Sequence, residues 1–385
     1  MPDREIYLNN AATTWPKPES VYHACDRALR TMGTPKRGVG ACGSDDPLET
    51  ARRTVAEFLG IATPEWLLFL PGCTYALNLA ILGQRWNPGD RVLMSGLEHH
   101  AASRPVRKLA RERGIEFGVS PYAPGRPFDL EWLESELRQG GVKLVICTMA
   151  SNVSGDILPV AEVCRLARAY GALTLLDAAQ AAGHLPVDVA SLGCDLLCFA
   201  GHKGLYGPTG VGGLWVGPGV ELNTLAEGGT GGDSGVHPVS CAKPSTFEIG
   251  THNLPSICGL TAGVEWIRER GQAALREREH ALVGRLISGL LEVPGLTVHG
   301  PTDPEARTAA VSFTVEGMTP KELATALGEH GVLGRAGYHC CPLAHETLGT
   351  LRGGGTMRLS PGAFTTEDEI DAAVGAVRSV SVTPV

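Results

Sequence analysis

From position 66 onward the chain alternates short apolar runs with longer segments of helical spacing. The runs fall at 66–70, 91–95, 115–119, 143–148, 172–176 and 195–199. Polar residues, glycine or proline bound most of them, and each reads as a strand. Helical segments separate most of these runs. Between Pro159 and Tyr170, for example, Val160, Val163, Cys164 and Ala167 make one apolar stripe, and Gly171 is placed as a C-terminal cap. This alternation predicts an α/β fold with a mainly parallel, doubly wound sheet and helices on both faces. After about residue 260 the rhythm changes. A long amphipathic helix is expected from Thr261 to Arg270 and on through Leu291, then strands at 295–298 and 309–315, a helix at 320–330 and a last helix from Thr366. These read as a smaller α+β domain. At the other end, Ile6, Tyr7 and Leu8 form a short strand, Pro16 and Pro18 break it, and a helix starts near Glu19. The glycine-rich stretch 33–40 reads as a surface loop.

In doubly wound sheets, ligands bind at the carboxyl ends of the strands. Polar groups gather at those ends here: Cys73 and Thr74, then Glu98, His99 and His100, then Ser151 and Asn152, then Asp177 and Gln180, then Lys203. A lysine held at the end of a buried strand tends to lose its proton, and a neutral amine can form a Schiff base with a carbonyl. An acid at a neighbouring strand end can keep a ring nitrogen protonated. Lys203 and Asp177 thus offer two parts that a pyridoxal phosphate (PLP) site needs, the alternative being a surface lysine and a capping aspartate. The Gly72-Cys73-Thr74 turn opens a helix, whose N-terminus suits a phosphate. Two further stretches carry chemistry. Cys340 lies in a loop beside His339 and Arg335, where a thiolate would be favoured. Arg358, in a short strand, could fork onto a carboxylate. Taken singly, each of these also has an ordinary structural reading, and only their agreement argues for a site.

Composition narrows the classes without choosing among them. The net charge of −8 argues against a nucleic-acid surface. The cysteines number 11, an odd count, and several sit inside apolar runs, so they are expected to be reduced rather than a disulfide framework. No spaced zinc pattern occurs, and no metal is expected. No basic stretch followed by an apolar one opens the chain, and no apolar run could span a bilayer, so a cytoplasmic protein without membrane contact is expected.

Together these stretches resemble the class V aminotransferase family, in its cysteine desulfurase branch (the group II-like cysteine desulfurases and selenocysteine lyases). The resemblance runs from Tyr7-Leu8-Asn9-Asn10-Ala11-Ala12-Thr13-Thr14 through Glu98-His99-His100-Ala101, Ser151-Asn152-Val153-Ser154-Gly155, Asp177-Ala178-Ala179-Gln180 and Gly201-His202-Lys203-Gly204. It continues with Phe247-Glu248-Ile249-Gly250-Thr251, and ends on Arg335-Ala336-Gly337-Tyr338-His339-Cys340 and the Arg358 strand.

It implies a fold-type-I PLP enzyme with a large domain built on a seven-stranded-type sheet, working as a homodimer with a shared active site. The expected division is 1–25 as an N-terminal segment packing with the small domain, 26–258 as the PLP-binding domain and 259–385 as the small domain. By resemblance, Lys203 is the Schiff-base lysine, Asp177 the partner of the pyridine nitrogen, Gln180 the contact to the ring oxygen, and His99 the stacking and acid/base group. Thr74 and His202 are phosphate ligands with Cys73 beside them, and Gly250 and Thr251 a phosphate contact donated by the other subunit. Asn152 and Arg358 are substrate-carboxylate ligands, with Ala12 and Arg335 also on the substrate side. Cys340 is the nucleophile that takes sulfur from L-cysteine as a persulfide, for transfer to an acceptor protein, while alanine leaves.

Three positions depart from the family pattern. Ala200 stands where Ser or Thr is usual near the phosphate, Asn9 stands where Asp is usual, and Cys341 adds a second thiol, either resolving a persulfide or filling space. The same fold also hosts C–S lyases acting on cystine or thioethers, and selenocysteine lyases, in which Cys340 would not be required. A non-catalytic sulfur carrier or scaffold would need the PLP set to be broken, and it is intact.

Overall fold

The structure, a computed structural model, describes residues 5–31, 46–229 and 244–382. The expected loop at 33–40 lies outside them. In chain order, β1 (Ile6–Tyr7), α1 (Glu19–Thr31) and α2 (Pro47–Phe58) precede the alternating part. This consists of β2 (Leu67–Leu70), α3 (Cys73–Leu82), β3 (Arg91–Met94), α4 (His100–Arg113), β4 (Glu116–Val119), α5 (Leu130–Arg138), β5 (Val142–Thr148) and α6 (Val160–Ala169). It continues with β6 (Leu173–Asp177), α7 (Val189–Leu192), β7 (Leu196–Ala200) and β8 (Gly212–Val216).

Among the described residues these strands form one seven-stranded sheet in the order β2-β8-β7-β6-β5-β3-β4. All neighbours pair in parallel except where β8 runs antiparallel between β2 and β7. The expected mainly parallel, doubly wound sheet is therefore present. Its strands read as unbroken apolar runs because both faces are covered. Leu67, Leu93, Val145, Leu176 and Leu197 pack into one core with α2, α5, α6 and α7, while Leu68, Val92, Leu144, Leu175 and Leu196 pack into another with α3 and α4.

β8 is the strand the hydrophobic pattern misses. Gly212 and Gly213 read as the end of a glycine-rich loop, yet they are its first two residues. A Cβ on Gly213 would fall 2.4 Å from the Phe199 ring of β7, so only a bare backbone can lie there.

The second half holds α8 (Leu254–Arg270), α9 (Gln272–Leu291), β9 (Leu296–His299), β10 (Val311–Val315), α10 (Pro320–Glu329), β11 (Val332–Leu333), β12 (Arg335–Gly337), α11 (Pro342–Thr347), β13 (Thr356–Leu359) and α12 (Glu367–Val382). The single helix expected from Thr261 through Leu291 is two helices, parted at Gly271, whose φ of +81° suits glycine. The break lets each helix serve a different core. Leu260, Val264 and Ile267 of α8 join the large-sheet core, whereas Leu282, Leu286 and Leu290 of α9 pack on the antiparallel sheet β12-β13-β10-β9. The chain's first strand belongs to this second body as well. β1 pairs in parallel with β11, and Asn9 bridges to Ser360 just beyond β13.

Two registers level the strand ends that matter. Thr148 lies opposite Asp177, and Asp177 lies opposite Cys198. The turn after β6 and the turn after β7 are then pressed together through glycines. A Cβ on Gly183 would lie 2.0 Å from the Gly204 carbonyl oxygen, and Gly183 has φ +91°. Gly183→Ala is expected to destabilise the protein by at least about 2 kcal/mol, from backbone strain and from pushing the Lys203 turn away; denaturant unfolding of the two proteins measures it.

Candidate active site

The carboxyl ends of β2, β5, β6 and β7 open into a cavity of about 300 Å³, closed on the far side by residues from β12 and β13. Cys73, Thr74, His99, Asn152, Asp177, Gln180, His202 and Lys203 line it from the large sheet, and Ala12, Arg335 and Arg358 from the other side. Eleven of the residues singled out from the sequence thus meet in one place. Ala200, the last residue of β7, is also on its wall, as is Thr209 from the loop before β8.

Asp177 ends β6 and is 3% exposed. Its hydrogen bonds both fall on Oδ1, from the Ala179 N–H at 2.9 Å and from the Cys73 thiol at 3.5 Å. Burial pushes its carboxyl up, and Lys203 works against that. Burial likewise drives the Lys203 ammonium down, opposed by Asp177. Both groups face one cavity, and each charge favours the other. The Cys73 thiol, which faces Asp177, is held well above its usual range, by desolvation first and then by the Asp177 charge, and stays protonated.

His99 caps α4: its Nδ1 accepts the Ala101 N–H at 3.0 Å. Burial first, then the Lys203 charge, lowers its pKa to about 3. The ring is therefore neutral and carries its proton on Nε2. Directly before it, Glu98 is fully buried. Its Oε1 accepts from Ser95 Oγ and from the Thr148 N–H, both at 2.6 Å, while Oε2 has no partner. Burial pushes this carboxyl to about 8, the chief opposing influence being the Ser95 hydrogen bond. Glu98 joins the strand ends of β3 and β5 as a neutral acid. The sequence placed it in a motif but gave no sign of its protonation, which depends on burial beneath both strands.

The Lys203 turn is held from outside by the N-terminal segment. The His202 carbonyl accepts from Thr14 N at 3.2 Å, Thr13 Oγ1 at 3.1 Å and Lys17 Nζ at 2.9 Å. Burial lowers Lys17 to about 8. No sequence signal marked Lys17 for this position. The His202 ring is buried, its Nδ1 has no partner, and burial followed by the Lys203 charge lowers it to about 4. Gln180 Nε2 donates to the Ala11 carbonyl at 2.8 Å.

Asn152 is tied at three points. Its main-chain oxygen accepts from Arg358 Nη1 at 2.6 Å, its Nδ2 donates to the His339 carbonyl at 2.9 Å, and its Oδ1 accepts from the Cys341 thiol at 2.8 Å. Cys341 is thus fully buried against an amide.

Cys340 is exposed, and its Sγ accepts from Arg335 Nη2 at 3.3 Å. It sits on a turn in which His339 and Cys340 have φ of +48° and +60°, two successive non-glycine residues in the left-handed region. The turn is pinned by His100 N–H donating to the Cys340 carbonyl at 2.9 Å, and by Cys341 N–H donating to the Tyr338 carbonyl at 2.7 Å. His339 is not a base beside the thiol. Its ring points inward, with Nε2 at 3.1 Å from the Thr356 carbonyl, and burial and Arg358 hold it neutral.

Gly250 and Thr251 are not brought to the Lys203 cavity within the chain. Thr251 lines an adjoining cavity of about 490 Å³, which shares Pro71 and Gly210 with the first. Among the described residues no cluster of three or more His, Cys, Asp or Glu could hold a metal, and no helix is long and apolar enough to cross a membrane.

The raised Glu98 pKa has a stability consequence. An unfolded carboxyl near 4.5 ionises while the folded one keeps its proton to about 8, so the wild type loses stability as pH rises between these values. Glu98→Gln removes that loss. Its stability relative to the wild type is expected to improve from pH 5 to pH 8, as read from denaturation midpoints at both; a constant difference would mean that Glu98 is ionised in the folded protein.

Comparison with known proteins agrees with this geometry. A probable cysteine desulfurase of Pseudomonas aeruginosa is 37% identical over 95% of this chain and 91% of its own. The apo structure of a cysteine desulfurase from Thermococcus onnurineus superposes with a TM-score of 0.89 at 31% identity, covering 98% of this chain and 94% of that one. A cysteine desulfurase structure from Escherichia coli gives 0.85 at 27% identity, with coverage of 98% and 95%. The sequence pattern of the class-V aminotransferases matches residues 6–373, and with the strand-end lysine and acid in one cavity, the chain belongs to the class V aminotransferase family.

Proposed function

We propose that this protein is a PLP-dependent cysteine desulfurase, converting L-cysteine to L-alanine and holding the sulfur as a persulfide on Cys340 for transfer to an acceptor. The observation that carries the reading is the position of Cys340. It is an exposed thiol on a strained, pinned turn, in contact with Arg335, which lines the cavity holding Lys203 and Asp177.

The residues present fit PLP. A buried lysine and a buried acid lie together, the His202 Nδ1 is buried without a partner, and the N-terminal turn of α3 presents Thr74 and free N–H groups. Lys203 would hold the aldehyde carbon, Asp177 the ring nitrogen, Gln180 the ring oxygen, and Thr74 with His202 the phosphate, while His99 would lie against the ring. Bound there, PLP supplies an electron sink for charge developing at the substrate Cα.

The chain's own groups then have defined tasks. Arg358 and Asn152 orient the substrate carboxylate. The Lys203 amine, which burial keeps from holding a proton tightly, removes the Cα proton and later returns one. His99 offers its Nε2 proton to the substrate side. The Cys340 thiolate attacks the substrate sulfur: an S–S bond forms as the Cβ–S bond breaks, the bonding pair stays with Cβ, which takes up a proton on the way to alanine, and the sulfur stays on the protein as a persulfide.

Three further elements belong to this reading. Gly250 and Thr251 serve the site of a second copy in a homodimer. An acceptor protein collects sulfur at the exposed Cys340. The protein works in the cytoplasm, whose reducing conditions suit the buried thiols of Cys147, Cys164, Cys194 and Cys198.

The test is the carbon product formed from L-cysteine with a thiol reductant. Alanine with matching sulfide is expected. Pyruvate with ammonia would instead make the protein a C–S lyase. Cys340→Ser is expected to lower alanine formation at least about a hundredfold while leaving PLP absorbance unchanged. Lys203→Ala is expected to abolish turnover, though it can retain PLP weakly.

A further inference from the structure

Arg52 of α2 and Glu248 form an ion pair away from water, the two residues being 5% and 7% exposed. The pair is two-pronged: Nη1 donates to Oε1 at 3.0 Å and Nη2 to Oε2 at 2.9 Å. Both partners also reach the backbone of β2. Arg52 donates to the Leu67 carbonyl, and Glu248 Oε1 accepts the Phe69 N–H at 2.6 Å. β2 is the end strand of the sheet, so one row of its polar groups has no strand beside it. The two side chains fill that row as a neighbouring strand would.

β2 itself has little need of this, since it pairs with β8 over Leu67, Leu68, Phe69 and Leu70. The segment that carries Glu248 is different. Residues 247–253 form neither helix nor strand. Glu248 ties them to the sheet, His252 Nε2 lies 3.4 Å from Glu248 Oε2, and the Asn253 side chain caps α8. Between these anchors Gly250 and Thr251 are exposed. Thr251 thus stands three residues from a fixed carboxylate, on the cavity that adjoins the Lys203 cavity. Packed apolar residues would stabilise the fold as well as a buried ion pair does. What this pair adds is a fixed place for the segment.

We propose that Glu248, locked by Arg52, is a positioning residue for the cofactor site of a second copy of the chain: it sets the place of Thr251, whose hydroxyl reaches the phosphate held at that copy's α3. The proposal rests on the reading of Gly250 and Thr251 as groups that serve the second subunit. The rival role lies within one chain. Phe69 precedes the Gly72 turn by three residues, so the same pair would steady the phosphate end of its own site.

Mixed dimers separate the two roles. They are isolated with two different affinity tags, stripped of PLP, and titrated with PLP by the visible absorbance it acquires on Lys203. In the first dimer a wild-type chain is paired with a chain carrying Lys203→Ala and Glu248→Gln. Only the wild-type lysine reports, and its site borrows Thr251 from the altered chain. PLP affinity there is expected to fall about tenfold or more, through loss of one charge-assisted hydrogen bond. In the second dimer a Glu248→Gln chain is paired with a Lys203→Ala chain. The reporting lysine now borrows an unaltered Thr251 segment, and its affinity is expected to stay within about threefold of the wild type. A weak second dimer beside a normal first would overturn the proposal, as would equal loss in both or no loss in either. Arg52→Lys keeps the charge but not the fork, and is expected to give the same pattern; it decides alone if Glu248→Gln does not fold. Thr251→Ala in the same two pairings tests the reading underneath. If Thr251→Ala weakens the first dimer and Glu248→Gln does not, the shared site stands and the role of Glu248 falls. If Thr251→Ala leaves the first dimer unchanged, or the chains form no mixed dimer, both fall. PLP affinity is read without turnover, so these outcomes are independent of Cys340.

Discussion

The structure depends on keeping a few charges dry. Asp177 and Arg358 are buried, and Lys203 is partly so, at the carboxyl ends of the sheet or just across from them. An isolated charge there would cost several kcal/mol. Lys203 and Asp177 share that cost between them, whereas Arg358 is left with neutral acceptors. Much of the surrounding architecture holds these groups in place. The level registers of β5, β6 and β7 bring Asp177 and Lys203 to one depth. The glycine contact between Gly183 and Gly204 presses their turns together. The turn that carries Cys340 is tied to α4 through His100 and to the β5 end through Asn152. Neutral groups complete the shell: Glu98, His99, His202 and His339 are all driven to their uncharged forms by burial.

Much of this was legible in the chain, for a physical reason. Parallel strands buried on both faces must be apolar throughout, so they stand out, and the polar residue at which each run stops marks the ligand side. That logic found Lys203, Asp177, His99 and Asn152. It failed where the physics was not local. β8 was hidden because its two glycines answer to close neighbours and not to strand propensity: Gly212 lies against the Phe199 carbonyl and Gly213 against the Phe199 ring. The two helices α8 and α9 read as one because both are long and partly apolar, although Arg268 and Arg270 followed by Gly271 form a helix-stop signal. The partnership of Asn9 with Arg358 spans 349 positions and cannot be read from either neighbourhood.

Cys341 shows how an added thiol takes its meaning from what surrounds it. From the sequence it is either a second reactive sulfur or filler. In the fold it is a hydrogen-bond donor to Asn152, held protonated by burial. Cys340, one residue earlier, is exposed beside a guanidinium. A single peptide unit in the left-handed region separates a sulfur facing solvent from a sulfur facing the interior.

The N-terminal segment has a consequence for the order in which the molecule is made. Residues 6–17 brace the Lys203 turn, but their own anchors are Gly331, Leu333 and Ser360. During synthesis these residues therefore wait for partners made more than three hundred codons later. The large sheet can assemble around Asp177 and Lys203 before then, yet its cavity stays without a far wall. Maturation of the site thus waits for the stretch from Gly331 to Ser360, and a ribosome that stalls before it releases a product with a lysine and an acid but without Arg335 and Arg358.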